Sequence, residues 1–496
     1  MAVVAATRVT LRAAVAAGVV CCALAVSPAA FGASHAPRIV RLTATPGLVP
    51  AYSPGIHDYV VRCDPATPVR LALSVAAGTT GEIDGEPVRS ATVRLTSGKE
   101  VVVTGRAAAG TAAYHIRCLP PDFPSWSVTG SGTPGEWYVA TPSLSFAGAS
   151  SNYVAIFDSD GVPVWWWRDA AGPSINATVL PGDREIAFAT WNVPAGSFEV
   201  RRFDGTLVRR ITSPDGAINV HELQIASNGD EVFLVDAPKA GVDLTPFGGP
   251  PAATVIEEEI EEITPAGKLA WSWSTDGNVG LAESTRWLGT ILGTPVQLSG
   301  GGLGYDFFHA NAVSLAGDTV LLSLRQTDGV YAIDRMTGQI LWKLGGTPTP
   351  ESLTVVGDPY GDVPLGGQHD IRILPDGTIT VFDDGTFLGR PPRAVHYRID
   401  LANHTATFLG QITDPTVTSS TCCGSARLLG DGDWVISWGG DPTFGEYRPD
   451  GTETFRIDFD GLFSYRVQPV APDRITAAAL RAGMNTMTSQ IPGVEP

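Results

Sequence analysis

Short apolar runs broken by glycine, aspartate and asparagine fill the chain from about residue 137 onward, with the length and punctuation of β-strands. One pattern recurs, a strand closing on a polar Gly turn and a following strand that often carries tryptophan. It appears as Ile156-Phe157-Asp158-Ser159-Asp160-Gly161 ahead of Trp165, Arg202-Phe203-Asp204-Gly205, Ile263-Thr264-Pro265-Ala266-Gly267 ahead of Trp271, and Ile333-Asp334-Arg335-Met336-Thr337-Gly338 ahead of Trp342. Weaker copies lie at 399–403 and 448–451. A second pattern interleaves with these hairpins: strand-like runs ending on a turn glycine at 174–182, 221–229, 309–317, 369–377 and 424–432.

Hairpins alternating with first strands predict six repeats of about 60 residues each, the arrangement of propeller blades. The closing segment Phe463-Ser464-Tyr465-Arg466-Val467 is placed to complete a blade begun near Trp137 and so to join the ends of the ring. Ahead of it, alternating runs at 69–75, 91–95 and 100–104 read as a compact β-sandwich, and Pro120-Pro121-Asp122-Phe123-Pro124 reads as a stiff connector. The expected fold is therefore all-β, a six-bladed β-propeller over 131–496 preceded by a small N-terminal β-sandwich domain over 34–130. Abundant glycine (56) and proline (38), with only 17% charged residues, suit such a turn-rich chain.

The first residues change the expected location. Arg8 and Arg12 precede an apolar stretch over 13–26 and a small-residue region ending near Ala33, which is the build of a secretory signal peptide over 1–33. The mature chain is then secreted or extracytoplasmic, and nothing beyond the signal is long and apolar enough to span a bilayer. Four of the six cysteines remain after the signal, an even number suited to an oxidising compartment. Cys63 and Cys118 end the similar runs Tyr59-Val60-Val61-Arg62-Cys63 and Tyr114-His115-Ile116-Arg117-Cys118, which places them on neighbouring strands as a disulfide pair. The adjacent Cys422 and Cys423 are open to a vicinal bridge, two free thiols, ligation of something soft, or a pair of small packed residues.

The net charge of −18 with no basic cluster excludes a nucleic-acid footprint. The acidic run 257–262 is interrupted by Ile260 and reads as a solvated strand edge. Arg390 and Arg393 read as surface loop residues, and Trp165-Trp166-Trp167 and Trp438 as blade packing.

Candidate chemistry rests on His221, His309 and His369, each eight residues ahead of a turn glycine. Equivalent positions in three repeats place three imidazoles on one channel. A recurring histidine can also do no more than pin a blade, but the neighbours of these three favour a reacting site. Asn311 follows His309 by two and shares its face on a strand, and the next strand delivers Arg325. A guanidinium beside imidazole and carboxamide suits a tetrahedral oxyanion. His369 is flanked by Gly366-Gly367-Gln368, which let backbone approach closely, and by Asp370, which either orients it or ends the strand.

These stretches, Phe308-His309-Ala310-Asn311-Ala312-Val313 through Trp342-Lys343-Leu344-Gly345 and Gln368-His369-Asp370 through Gly385, resemble the bacterial arylsulfate sulfotransferases over about 135–480. The resemblance implies an exported six-bladed propeller, free of cofactor and of metal, that moves a sulfuryl group between phenols without a nucleotide donor. It implies that His369 is the sulfated nucleophile, that His309 and His221 are channel histidines, and that Asn311 and Arg325 hold sulfate. Arg325 would stabilise the equatorial oxygens in the transition state, and His221 or His309 would carry the proton. The implied partners are small-molecule phenols and aryl sulfates, and a homodimer is among the assemblies it allows. The chain departs from the family where Asp383-Asp384-Gly385 stands in place of a common Asp-Asn-Gly.

Two other classes compete. Ala332-Ile333-Asp334-Arg335-Met336-Thr337-Gly338-Gln339-Ile340-Leu341-Trp342 resembles the docking repeat of pyrroloquinoline-quinone oxidoreductases, but it occurs once and the length suits six blades rather than eight. A non-catalytic propeller that binds a ligand, or zinc on three histidines, is opposed by the cationic Arg325.

Overall fold

The computed structural model describes residues 36, 38–64, 66–191, 196–214, 216–298 and 301–489, so the signal peptide expected over 1–33 lies outside the described residues. The chain is all-β, and the described residues form eight sheets. Two of these lie toward the N-terminus. Ile39–Thr45, Val69–Val75 and Ser90–Val93 form one, and Asp58–Arg62, Gly110–Leu119, Glu100–Ala107 and Thr80–Ile83 the other. In Val69–Val75 buried and exposed residues alternate, the two-residue period of a strand with one solvated face. The inward residues of both sheets, among them Ile39, Leu71, Tyr59, Val103 and Ile116, share one core.

Asp58–Arg62 runs parallel to Gly110–Leu119 and sets Val61 opposite Cys118. Cys63, two residues on, is bridged to Cys118 with Cα atoms 5.7 Å apart. The bridge closes a loop with a sequence separation of 55 residues, and in the chain-entropy treatment such a constraint on the unfolded chain contributes about 4 kcal/mol. Alanine at both positions is expected to lower the unfolding free energy by about that amount; denaturant melts of the full chain, read by near-ultraviolet dichroism, would measure it.

The other six sheets each carry at one edge a strand that faces its counterparts: Ser174–Val179, Ala217–Ile225, Ala310–Ala316, His369–Ile373, Ser425–Leu428 and Phe463–Val470. Each of these inner strands lies against the next, and the sixth returns to the first, so they form a closed cycle. The closure is made by Phe463–Val470, which pairs antiparallel with Trp137–Leu144, as the sequence pattern expects. A second tie comes from Trp126–Gly130, just ahead of the boundary drawn at 130, which is the outer strand beside Glu453–Phe459. Apolar side chains fill the spaces between sheets. Trp165 and Trp438 are wholly buried there, with their indole N–H groups donated to the Phe203 carbonyl and the Tyr447 hydroxyl. The C-terminal helix Ala477–Ser489 packs back toward the N-terminal sheets, where Arg481 pairs with Asp58 and Asn485 accepts from Arg117 at 2.8 Å.

Two surface expectations are corrected. Ala253–Ile263 is paired on both sides, with Glu231–Val242 and Leu269–Ser274, so the acidic run is no solvated edge. Glu257, Glu258, Glu261 and Glu262 are all buried, because each finds a partner: Thr275, Asn219, Ser213 and Arg335 respectively. Arg393 is fully buried rather than on the surface, held by Asp358 and Asp383, and Arg390 also pairs with Asp383. At Arg393 the buried charge is tolerated because donors and acceptors close on one another, whereas burial pushes the Glu257, Glu258 and Glu262 carboxyls up.

Among the described residues no helix is long and apolar enough to cross a membrane. The Cys63–Cys118 bridge suits an oxidising, extracytoplasmic compartment.

Candidate active site

The inner strands do not run straight. Their pairing register slips at a common level, between Ile175 and Thr178, Asn219 and Leu223, Ala310 and Ala312, and His369 and Arg372. Such bulges re-aim side chains, and left-handed backbone at Asn176, His309 and Asp370 accompanies them. The three histidines come together at this level. The His221 and His309 rings lie 5.1 Å apart, and Tyr465 packs on both His221 and His369, at 5.4 and 6.1 Å. Because His309 has a positive φ and stands just ahead of its strand, it does not share a strand face with Asn311 as simple alternation expects.

Each ring is held through Nδ1 by a different partner. His369, 1% exposed, lies 2.7 Å from the Asp384 carboxylate, and its Nε2 accepts the Cys423 backbone N–H at 3.1 Å. With Nε2 accepting, the proton of a neutral ring sits on Nδ1 and is donated to Asp384. Burial, with Arg325 and His309 adding repulsion, holds His369 well below the usual histidine range. Burial pushes the Asp384 carboxyl the other way, well above the usual carboxylate range, against the pull of Ser420 and Arg325. Both directions leave the imidazole neutral.

His309 Nδ1 lies 2.6 Å from Asp306, whose other oxygen accepts the His309 backbone N–H at 2.8 Å. His221 instead rests on the Asn219 carboxamide. Burial, with repulsion from His309, Arg466 and Arg325, holds His221 well below the usual histidine range. A carboxylate stabilises an imidazolium and a carboxamide does not, so His309 is the ring equipped to carry a proton.

Arg325 opens a short turn directly after the strand Thr319–Leu324. Its backbone N–H bonds the His309 carbonyl at 3.1 Å, its guanidinium lies 4.4 Å over the Trp287 ring, and one Nη donates to the Thr421 carbonyl at 2.7 Å. Its Nε is buried without a hydrogen-bond partner. Asn311, fully buried, donates to the Gln368 carbonyl at 2.8 Å and so fixes the residue ahead of His369. What Asn311 retains for an oxyanion is its second Nδ2 proton.

Cys422 and Cys423 are bridged to one another. Their turn is tied to the site three times, by Thr421 to Arg325, by Ser420 to Asp384 at 2.5 Å, and by Cys423 to His369.

Asp370 does not orient His369. Its positive φ turns it away, and its carboxylate is taken by Arg372, Arg427 and the Ala426 N–H. The partners that do orient the rings, Asp384, Asp306 and Asn219, went unassigned in the sequence. Asp306 and Asn219 precede their histidines by three and two residues, a local signal. Asp384 lies one strand away and was visible only as a departure from a motif. Among the described residues no three His, Cys, Asp or Glu side chains are grouped as metal ligands.

A closed cycle of sheets around a histidine cluster, with His369 buried and His221 and His309 half-buried, defines the class, an all-β protein with its candidate chemistry on inner strands. The family model for arylsulfotransferase (ASST) matches residues 200–460, more than half of the chain, and the chain belongs to that family. Curated proteins give no match. Solved structures give distant ones. A protein of unknown function from Bacteroides caccae is 15% identical, covering 68% of this chain and 99% of its own, with a TM-score of 0.41. A catalytically inactive virginiamycin B lyase from Staphylococcus aureus with quinupristin is 13% identical over 68% of this chain and 88% of its own, with a TM-score of 0.35. A 6-phosphogluconolactonase-like protein from Bacteroides fragilis is 13% identical over 80% and 99%, also at 0.35. Likeness at this level decides nothing about the chemistry.

Proposed function

We propose that this protein is an exported aryl-sulfate sulfotransferase that moves a sulfuryl group from a phenolic sulfate ester to an acceptor phenol through a sulfohistidine at His369, with no nucleotide donor. The six sheets of the closed cycle are read as propeller blades, and the two N-terminal sheets as a sandwich. The observation that carries the reading is the state of His369: a neutral imidazole, Nδ1 on a carboxyl group, Nε2 carrying the lone pair, beside Arg325.

Nε2 attacks sulfur, the S–O ester bond breaks, and the leaving phenolate takes a proton from His309. The sulfated ring is positive, and the Asp384 carboxylate stabilises it through Nδ1–H. His309, now neutral and still on Asp306, accepts the proton of the incoming phenol, whose oxygen attacks sulfur as the S–N bond breaks. Arg325 and Asn311 hold the sulfuryl oxygens, where charge is spread in a loose transition state. Nε2 is occupied by the Cys423 N–H in the resting structure, so the turn must yield before attack. A sulfate group that takes Arg325 from the Thr421 carbonyl removes one of the three ties holding that turn.

Asp384→Asn tests the orienting role. A charge-assisted hydrogen bond contributes about 1.5–3 kcal/mol, so the first half-reaction is expected to slow by about tenfold to a hundredfold. The acid limb of its pH profile should lie above the usual carboxylate range, since the reaction needs ionised Asp384 and that pKa is raised; activity falls as pH drops through it. The limb should vanish in the variant, whereas a purely structural aspartate would leave its position unchanged.

The reading as a whole is tested by phenol release from a chromogenic aryl sulfate. Release should continue only with a second phenol present and stop after about one equivalent without it, as a two-step covalent exchange requires. Release that proceeds equally without acceptor would mean hydrolysis, and no release with any phenol would end the proposal.

A further inference from the structure

Beyond the histidines, the inner strands carry a second layer of charge. Arg372, Arg427 and Arg466 face Glu222 and Asp370 there, three guanidiniums against two carboxylates. Both carboxylates are spent. Glu222 accepts from the Leu223 N–H, Gln224, Arg372 and Arg466, and Asp370 from the Ala426 N–H, Arg372 and Arg427. The guanidiniums are not. Arg372 and Arg466 are nine-tenths buried; the Arg372 Nε has no hydrogen-bond partner, the Arg466 Nε lies 3.5 Å from Asp370, and Arg427 uses its Nε and one Nη on Asp370 alone. All three line a cavity of about 190 Å³ that continues down the inner strands, bounded also by Asn176, Gln224 and Gln468. Arg474 stands at its margin, paired with Asp183.

One positive charge is left over in a buried layer. Desolvation and the adjacent Arg372 lower the Arg427 guanidinium to about 10, the cost of that imbalance. Burying an unpaired cation is expensive, and an anion with several acceptor oxygens relieves it through forked hydrogen bonds.

We propose that this cavity is an anion site, distinct from the histidine cluster, which takes a small tetrahedral oxyanion of the sulfate or phosphate class on Arg427, with Arg372 and Arg466 behind it. The Arg466 Nη2 that donates to the Asn311 carbonyl at 2.5 Å separates the cavity from the candidate active site. The anion therefore sits beneath the reacting groups rather than among them, and it does not depend on the transferase reading.

Crystals of the full chain soaked in selenate report the site directly, because selenium is located by its anomalous scattering. A peak within hydrogen-bond distance of Arg427 and Arg372 is expected, and its position does not rely on any variant folding. In solution, calorimetric titration with inorganic sulfate should show binding that survives Arg325→Gln, which removes the oxyanion contact beside His369, and that weakens at least tenfold in Arg427→Gln. Inorganic phosphate in a parallel titration distinguishes a general oxyanion site from one that prefers sulfate. A selenate peak only beside Arg325 or on the outer surface, or sulfate binding that Arg325→Gln abolishes, would overturn the proposal. So would no binding at all.

Discussion

Asparagine at His369 is expected to bring acceptor-dependent phenol release down by about 10⁴-fold or more, to the background of the solution reaction, because a covalent route has no second nucleophile at hand. The neighbours cannot substitute. His221 rests on the Asn219 carboxamide and has no carboxylate behind it, and His309, held on Asp306, serves in this scheme as the proton carrier. The change should leave the fold standing. Asparagine is smaller than the imidazole and can still donate toward Asp384, and His369 lies at the start of its inner strand, paired with Phe382. Unchanged near-ultraviolet dichroism alongside lost turnover would separate chemistry from unfolding. A variant that retains a tenth or more of the wild-type rate would remove His369 from the mechanism.

Glutamine at Arg325 should have the next largest effect, a loss of about 10²–10³-fold in kcat, the usual consequence of deleting one charged group aimed at developing negative charge. Lysine should recover little, since it offers a point charge in place of a planar fork and cannot stack on Trp287 in the same way. The loss should appear in both half-reactions, because the same sulfuryl oxygens are held in each. Comparing single-turnover sulfation of the protein with sulfate transfer to an added phenol would show this. A loss confined to donor affinity, with kcat intact, would make Arg325 a docking residue only.

Much of this is legible in the sequence. Equal spacing of His221, His309 and His369 from their turn glycines marks one position in a repeat, and repeats place equivalent residues at one level of a ring whatever their separation in sequence. The pairing of Phe463–Val470 with Trp137–Leu144 follows from the same periodicity. Burial was harder to read. Six residues rich in glutamate look solvated in one dimension, and only the flanking strands and the partners Asn219, Ser213, Thr275 and Arg335 make 257–262 an interior segment. Arg393 was misplaced for the same reason, since Asp358 lies 35 residues away along the chain.

Within the site, strand alternation failed where the bulges and positive φ values are. Asp370 next to His369 turns away, while Asp384 from the adjacent strand connection supplies the contact. The adjacent cysteines could not be assigned from sequence, and their role as a rigid turn delivering the Cys423 N–H to His369 depends on contacts that no local pattern encodes.

The most direct test of the central claim is the mass of the intact protein after brief exposure to an aryl sulfate with no acceptor. The account predicts a gain of about 80 Da, one sulfuryl group per chain. Peptide mapping should place it on His369, and it should be discharged by an added phenol and absent in His369→Asn. Turnover that proceeds with no such adduct, or an adduct mapped to any other residue, would contradict it.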